Sequence, residues 1–387
     1  MAPEAPKVAA PKPFPNSYPV AEQAQWTVMV YVAGDNDLEP YVVTDIETEL
    51  GVVGSNRDIQ VVVMADRAPG YSDDAGDWEN TLLFHVQPDQ KATVAASIAD
   101  LGERNMGDPG SLVEFMDWSR THLPAQRYAL VFWDHGWGWR PGQSVYDETN
   151  GDTLDLNEMI SALDEVGRVD VVGFDACLMQ DIEVQAAFRH HTDVLVASQD
   201  YVSGRGFAYE EVLADLQASP RMSTEDAAVD FSMSMTDRTI STVVLDERWD
   251  TLQAAVDRWS ISLRAALATE RDEMNQAWRS TQRFGDWAYL DLYDMAYQIS
   301  IRSSDPAVIT SSWEVMNAVE GAILHEWHRE VYYDSGTHGI SIYMPTSLPD
   351  RYVRYTPSVD DFEWYVDNLD FAASTHWDEF VTEFAGR

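Results

Sequence analysis

At 387 residues, with 14 Trp and 45% hydrophobic residues, the chain can bury one large core or two ordinary ones and is too apolar to be disordered. Its formal net charge of −41 comes from 66 acids against 25 bases, of which the lysines are Lys7, Lys12 and Lys91; this field excludes nucleic acid as a partner and reads first as a solvated acidic coat suited to high salt. The single cysteine excludes an intramolecular disulfide and any multi-cysteine zinc site, and no run approaches the roughly 18 apolar residues that cross a bilayer.

Residues 1–25 are rich in Pro and Ala, lack the apolar centre of a signal peptide, and are expected to form a flexible extended spacer. Order begins at Trp26, where WTVMVYVA is a buried strand that ends in the turn GDND and leads into a helical stretch reaching about Leu50. IQVVVMAD (59–66) is a second strand and TLLFHV (81–86) a third, at an edge or in a hairpin. A helix over 111–122 precedes the strand YALVFWD. The pattern then repeats: helix over 156–166, strand over 169–177, helix over 179–190, strand over 193–198. Short continuous Val, Leu and Ile runs separated by helices imply an α/β fold with a mainly parallel sheet covered on both faces. Beyond Ser223 long helices take over (223–236, 248–268, 306–326), interrupted by TISTVVLD and closed by HGISIYMP (338–345), whose strand is expected to rejoin the sheet. With no clean linker, residues 26–387 read as one α/β core with helical elaboration of its C-terminal half.

In open parallel sheets, functional groups gather just beyond the carboxyl ends of the strands. His135 stands there, after YALVFWD and between glycines in HGWGW. Cys177 stands there too, after VDVVGFDA and before a helix whose N-terminal field is expected to favour thiolate. Glycine beside His135 leaves a backbone amide open to a substrate oxyanion, and the two side chains supply nucleophile and base. Taken singly, a lone cysteine is more often a small buried hydrophobe and a histidine a structural group. Asp175 lies two residues before Cys177, on the same side if the strand continues; it is either a pocket acid or a helix cap.

Six segments, VMVYVAGDNDLE (28–39), LVFWDHGWGW (130–139), GFDACLMQDIEV (173–184), VASQDYVSGRGFAY (196–209), YLDLYDMA (289–296) and GISIYMP (339–345), resemble the clostripain family of cysteine peptidases, in family order and over nearly all of the ordered chain. The resemblance implies a caspase-like fold and a cysteine endopeptidase with His135 and Cys177 as catalytic dyad. It further implies an oxyanion hole from the amides of Gly136 and Cys177, and cleavage after Arg or Lys bound by Asp175. The loop after the strand over 193–198 offers Asp200 as a second acid, and also Arg205, which could neutralise Asp175. By the same resemblance the expected partner is a peptide or protein substrate, the protein a monomer without membrane insertion, and its place extracellular or in the cell envelope.

No cofactor is required on this reading; a weak structural calcium is the one ion the resemblance admits. DETNGDTLDLNE (147–158) has acids at the first, ninth and twelfth places of a calcium loop, yet Gly151 comes one position early and the fifth ligand is missing, so it reads as a surface turn before a helix. The neighbourhood of Asp35 and Asp37 is the other place such an ion could sit. HEWH (His325, His328) lacks the spacing of a zinc helix and reads as a helix surface; Asp291 and Asp294 read as structural. Arg140 precedes Pro141 and Arg168 precedes a buried strand, so no internal Arg-specific processing is expected. The alternative from another class is a catalytically inactive caspase-like module that binds peptides or assembles with partners, against which the intact pair argues. A metal-dependent hydrolase lacks a ligand cluster in the sequence.

Overall fold

The computed structural model describes residues 10–285, 288–333, 337–345 and 361–386. Five strands form its parallel centre: β1 (Ala24–Gly34), β2 (Ile59–Arg67), β5 (Ala125–Trp133), β8 (Val171–Asp175) and β9 (Val194–Ala197). Antiparallel strands extend it on both sides: β3 (Leu82–His85) and β4 (Ala99–Asp100) beyond β2, β10 (Thr239–Val244) and β13 (Ile323–His328) beyond β9. The sheet runs β13-β10-β9-β8-β5-β1-β2-β3-β4. The period of two sorts β1 cleanly: Trp26, Val28, Val30 and Val32 enter one core, Met29, Tyr31 and Ala33 the other. Helices Tyr209–Ala218 and Thr224–Ser234 cover the first face, with the helical stretch after β1; Pro109–His122, Leu156–Val166 and the long C-terminal helices cover the second.

The acid-rich composition has a local use here. Asp108, Asp155, Asp181, Asp246, Asp291 and Asp305 each cap a helix by accepting a backbone N–H, where a carboxylate meets both orphan amides and the positive end of the dipole. At Asp155 the cap is reciprocal, with Glu158 reaching back to the Asp155 amide.

Several expectations are corrected. The strand in HGISIYMP, β14 (Ser341–Tyr343), does not rejoin the main sheet; it pairs with β12 (Tyr289–Asp291), itself paired with β11 (Arg283–Phe284), in a separate three-stranded sheet. HEWH is not a helix surface but lies in the edge strand β13, because the helix Pro306–Ala322 stops before it and the segment pairs with β10. The helix expected over 248–268 continues to Ser280, bent at Glu270, whose carboxylate accepts the amides of Ser304 and Asp305. DETNGDTLDLNE is a hairpin of β6 (Tyr146–Asp147) and β7 (Asp152–Thr153) running into a capped helix, and its first acid, Asp147, is buried rather than on the surface. Residues 10–23 carry no helix or strand, yet Lys12 pairs with Asp100 and the Tyr18 hydroxyl bonds His85; residues 1–9 lie outside the described residues.

Candidate active site

β5 and β8 are adjacent and parallel, with Trp133 opposite Asp175. His135 therefore leaves the sheet two residues beyond one strand end, and Cys177 two residues beyond its neighbour. The Asp134 amide donates to the Asp175 carbonyl at 3.3 Å, continuing the ladder one step past the strands. Next along, Gly136 lies so close to the second loop that a Cβ there would fall 2.4 Å from the Cys177 carbonyl oxygen. Only glycine permits that approach. Neither the Gly136 amide nor the Cys177 amide donates a hydrogen bond among the described residues.

His135 is half exposed and its Nε2 bonds Asp37 Oδ1 at 2.8 Å. In the neutral ring Nε2–H donates to this carboxylate, which leaves Nδ1 with the lone pair. Asp37 belongs to the turn GDND at the end of β1. The sequence reading weighed it only as an ion ligand, and no local pattern could show that β1 and β5, far apart in the chain, end side by side. Asn36 ties this turn down, donating to Ala33 O, Asp134 Oδ1 and Tyr146 O at 3.0, 2.8 and 2.9 Å.

Cys177 differs from expectation in two respects. The helix after it begins at Ile182, capped by Asp181, so the thiol is not at a helix start; a tight turn intervenes, with Leu178 at φ 61°. Burial pushes the thiol up to about 11, reinforced by Asp200 and Asp175 and opposed by the Val202 amide and Arg238. It is therefore a neutral thiol at pH 7, with Sγ accepting from Val202 N–H at 3.2 Å and facing the Val202 carbonyl at 3.7 Å. Among the described residues, His135 and Cys177 do not hydrogen-bond each other. Catalytic hydrogen bonds often tighten only around substrate.

The two acids of the expected pocket have separate partners. Asp175 ends β8 and is buried; its Oδ2 accepts from Phe207 N–H at 3.1 Å and Tyr209 O–H at 2.8 Å, while Oδ1 has no donor among the described residues. Burial raises it to about 6. Gly206, at φ 55°, closes over this carboxylate so tightly that a Cβ would meet its oxygens at 2.3 Å. Arg205 is exposed and acts on Glu49, not on Asp175. Asp200 accepts from Tyr333 O–H at 2.7 Å and Gly285 N–H at 3.3 Å, and pairs with Arg238 at 3.5 Å. The Arg238 guanidinium also covers the rings of Tyr332 and Tyr201, 5.1 and 5.9 Å from their centroids. The sequence offered Arg205 as the internal cation of this region; the structure puts Arg238 there, brought in by the turn before β10.

Asp291 and Asp294 are buried in structural roles, Asp291 capping its helix and bonding His338, and Asp294 accepting the Gln282 amide. His325 bonds the Ser232 hydroxyl and His328 the Glu326 carboxylate. A further group, Asp35, Asp66, Glu103 and Asp147, brings four buried carboxylates together.

A family model described as the clostripain family matches residues 30–384. The clostripain of Hathewaya histolytica is 29% identical over 229 residues, covering 52% of this chain and 44% of that protein; the chain thus aligns with less than half the length of this curated relative. Among solved structures, a secreted C11 cysteine protease from Bacteroides thetaiotaomicron, in complex with an irreversible peptide inhibitor, superposes with a TM-score of 0.67 at 21% identity, covering 92% of this chain and 99% of that one. An inactive zymogen C11 protease from Parabacteroides distasonis gives 0.65 at 22%, over 92% and 99% of the two chains. The fold is theirs, a caspase-like sheet between helical layers.

Proposed function

The chain belongs to the clostripain family, and from that membership we propose that it is a cysteine endopeptidase in which Cys177 is the nucleophile and His135 its general base. The observation that carries the reading is the pairing of β5 with β8, which sets the two residues just beyond neighbouring strand ends, where the amides of Gly136 and Cys177 donate no hydrogen bond among the described residues. Because burial keeps the thiol protonated, His135 Nδ1 takes the proton as sulfur attacks the scissile carbonyl; no ion pair stands ready beforehand. The carbonyl electrons move onto oxygen, which the amides of Gly136 and Cys177 receive. Collapse expels the amine, protonated by the imidazolium, and leaves a thioester. Water deprotonated by His135 then hydrolyses the thioester and restores the thiol. Asp37 holds the ring and its tautomer throughout, as a positioning residue.

Cleavage after Arg or Lys rests on Asp175. Its Oδ2 is anchored and its Oδ1 has no donor among the described residues, the state in which a buried carboxylate accepts a substrate guanidinium or ammonium. Asp200 is the second acid, already paired with Arg238, so a basic side chain reaching it has to displace that guanidinium. The substrates are peptides or proteins. The family relatives include a secreted protease, in keeping with an extracellular place for this one, and no helix among the described residues is long and apolar enough to cross a membrane.

Cys177→Ala is expected to lower kcat/KM on a fluorogenic peptide by at least about 10³-fold while circular dichroism and Tm stay at wild-type values. Retained turnover would sink the assignment. A peptide carrying an electrophilic group should label Cys177 in the wild type; a module that only binds peptides would bind the probe reversibly and leave the thiol free.

A further inference from the structure

The turn that carries Cys177 is held by two segments distant in the chain. Leu178 N–H donates to the Asp200 carbonyl at 3.1 Å and Gln180 N–H to the Ser198 carbonyl at 3.0 Å, which zips the turn to residues 198–200. The Gln180 carbonyl in turn accepts from Ser341 N–H at 3.0 Å. The buried Gln199 side chain ties these segments together, its Oε1 accepting the Gly339 amide at 2.9 Å and its Nε2 donating to Asp291 Oδ2 at 3.2 Å. Asp291, at the end of β12, is the hub. It is fully buried, and each oxygen accepts two hydrogen bonds: Oδ1 from Asp294 N–H at 2.8 Å and His338 Nδ1 at 3.0 Å, Oδ2 from Gln199 and from His338 N–H at 2.7 Å. Its ion-pair partner is His338, and among the described residues no Lys or Arg pairs with it. A buried carboxylate whose countercharge is a histidine keeps that countercharge only while the imidazole is protonated.

We propose that His338 is a positioning residue for Cys177: through Asp291 and Gln199 its imidazolium fixes residues 198–200, and with them the turn that carries the thiol. The proposal rests on Cys177 being the nucleophile. The surroundings of His338 favour the charged ring. It stacks on Tyr293, with centroids 4.2 Å apart and planes at 14°, and the face of a tyrosine attracts a cation. Around it stand Asp291 of β12, Asp294 of the helix Leu292–Ser300 and Glu326 of β13, while the charge of Glu320, from the helix Pro306–Ala322, acts on Tyr293. Burial opposes the charge on His338, but the Asp291 hydrogen bond and the charges of Asp291, Asp294 and Glu326 outweigh it and hold the ring above the usual histidine value. The hold is therefore complete in acid and is lost as pH rises through that raised value. Deprotonation then leaves Asp291 buried without a countercharge, which loosens the clamp on Gln199 and lets the thiol drift from its line of attack. Asp175, anchored by Phe207 and Tyr209, lies outside this network, so kcat carries the effect more than KM.

The test begins with a readout that needs no turnover. In the full chain, isotopically labelled and titrated by NMR, the His338 ring is expected to titrate above the usual histidine value of about 6.5. The Leu178 amide should shift with the same midpoint, and in His338→Gln that inflection should vanish. A ring that titrates at or below the usual value, a Leu178 amide that stays flat, or an inflection that survives in His338→Gln overturns the proposal. These signals are read whether or not Cys177 cleaves peptides, so absent turnover would sink the nucleophile assignment while the Leu178 shift still decides whether His338 sets the turn. On a fluorogenic peptide, kcat should fall about 3–10-fold through the same midpoint with little change in KM, and His338→Gln should stay at the lower level without that step. A step that persists in His338→Gln, or one in KM alone, overturns the proposal. Should His338→Gln fail to fold, Tyr293→Leu, which removes the stacked ring, should lower the His338 and Leu178 midpoints together; either midpoint staying at its wild-type value overturns it.

Discussion

Cys177 shows how a neighbourhood reverses a local reading. A strand-end cysteine before a helix suggests a stabilised thiolate, but the helix starts at Ile182 and burial pushes the thiol up to about 11. The reactive species is the thiolate, so alkylation by iodoacetamide, a small neutral reagent, should be slow at pH 7 and climb until about pH 11, well above the pH 9 at which an ordinary thiol levels off. A rate that saturates below pH 8 would contradict this. Asp37→Asn should leave the fold unchanged and lower kcat by about 10-fold with little change in KM, because the ring loses its fixed tautomer while substrate contacts remain; an unchanged kcat would free Asp37 of a positioning role. Arg238 lies within reach of Asp200 at 3.5 Å and is partly exposed. Arg238→Ala is expected to lower KM for substrates with Arg before the cleaved bond by about 3–10-fold, as the second acid loses its internal partner. A rise in KM for those same substrates would mean that Arg238 contacts substrate instead.

With Asp175 proposed as the specificity acid, the loop after β9 is the element on which that proposal turns. Phe207 N–H and Tyr209 O–H anchor Asp175, and Gly206 at φ 55° folds the chain over the carboxylate. Gly206→Ala puts a Cβ into both carboxylate oxygens and a side chain into left-handed backbone, so a cost of about 1–3 kcal/mol is expected. The loop is more easily displaced than the sheet is unfolded. Selectivity across a peptide panel varied before the scissile bond should therefore fall by more than Tm does; an unchanged panel would separate Gly206 from the pocket. The paired strand ends of β5 and β8 are the opposite kind of element. Their register is held by Phe132 stacked on Phe174 at 5.2 Å in the core, and their loops inherit a rigid base.

Taken whole, the molecule carries −41 charges on a sheet with two well-filled cores, so its self-repulsion is borne by packing and relieved by salt. Raising NaCl from 0.1 to 1 M shortens the screening length from about 10 to about 3 Å, and Tm should rise by several degrees, equally in KCl; a fall in Tm would mean that ion pairs outweigh the repulsion. The amino-acid order alone determined the parallel α/β core, since β1, β2, β5, β8 and β9 announce themselves as continuous apolar runs whose burial needs no knowledge of partners. It also determined that His135 and Cys177 stand at strand ends, and the segments shared with the clostripain family pointed to their pairing. What it did not show depends on contacts between segments distant in the chain. β14 and HEWH are short and ambiguous, and took their place from the neighbours they pair with rather than from their own periodicity. Asp37 reaches His135, Arg238 reaches Asp200, and Asp35, Asp66, Glu103 and Asp147 converge only once the sheet has brought four separate loops to one end. Propensity and pattern act over a few residues, whereas charge and hydrogen bonding act across space, and that distance is decided by the tertiary fold.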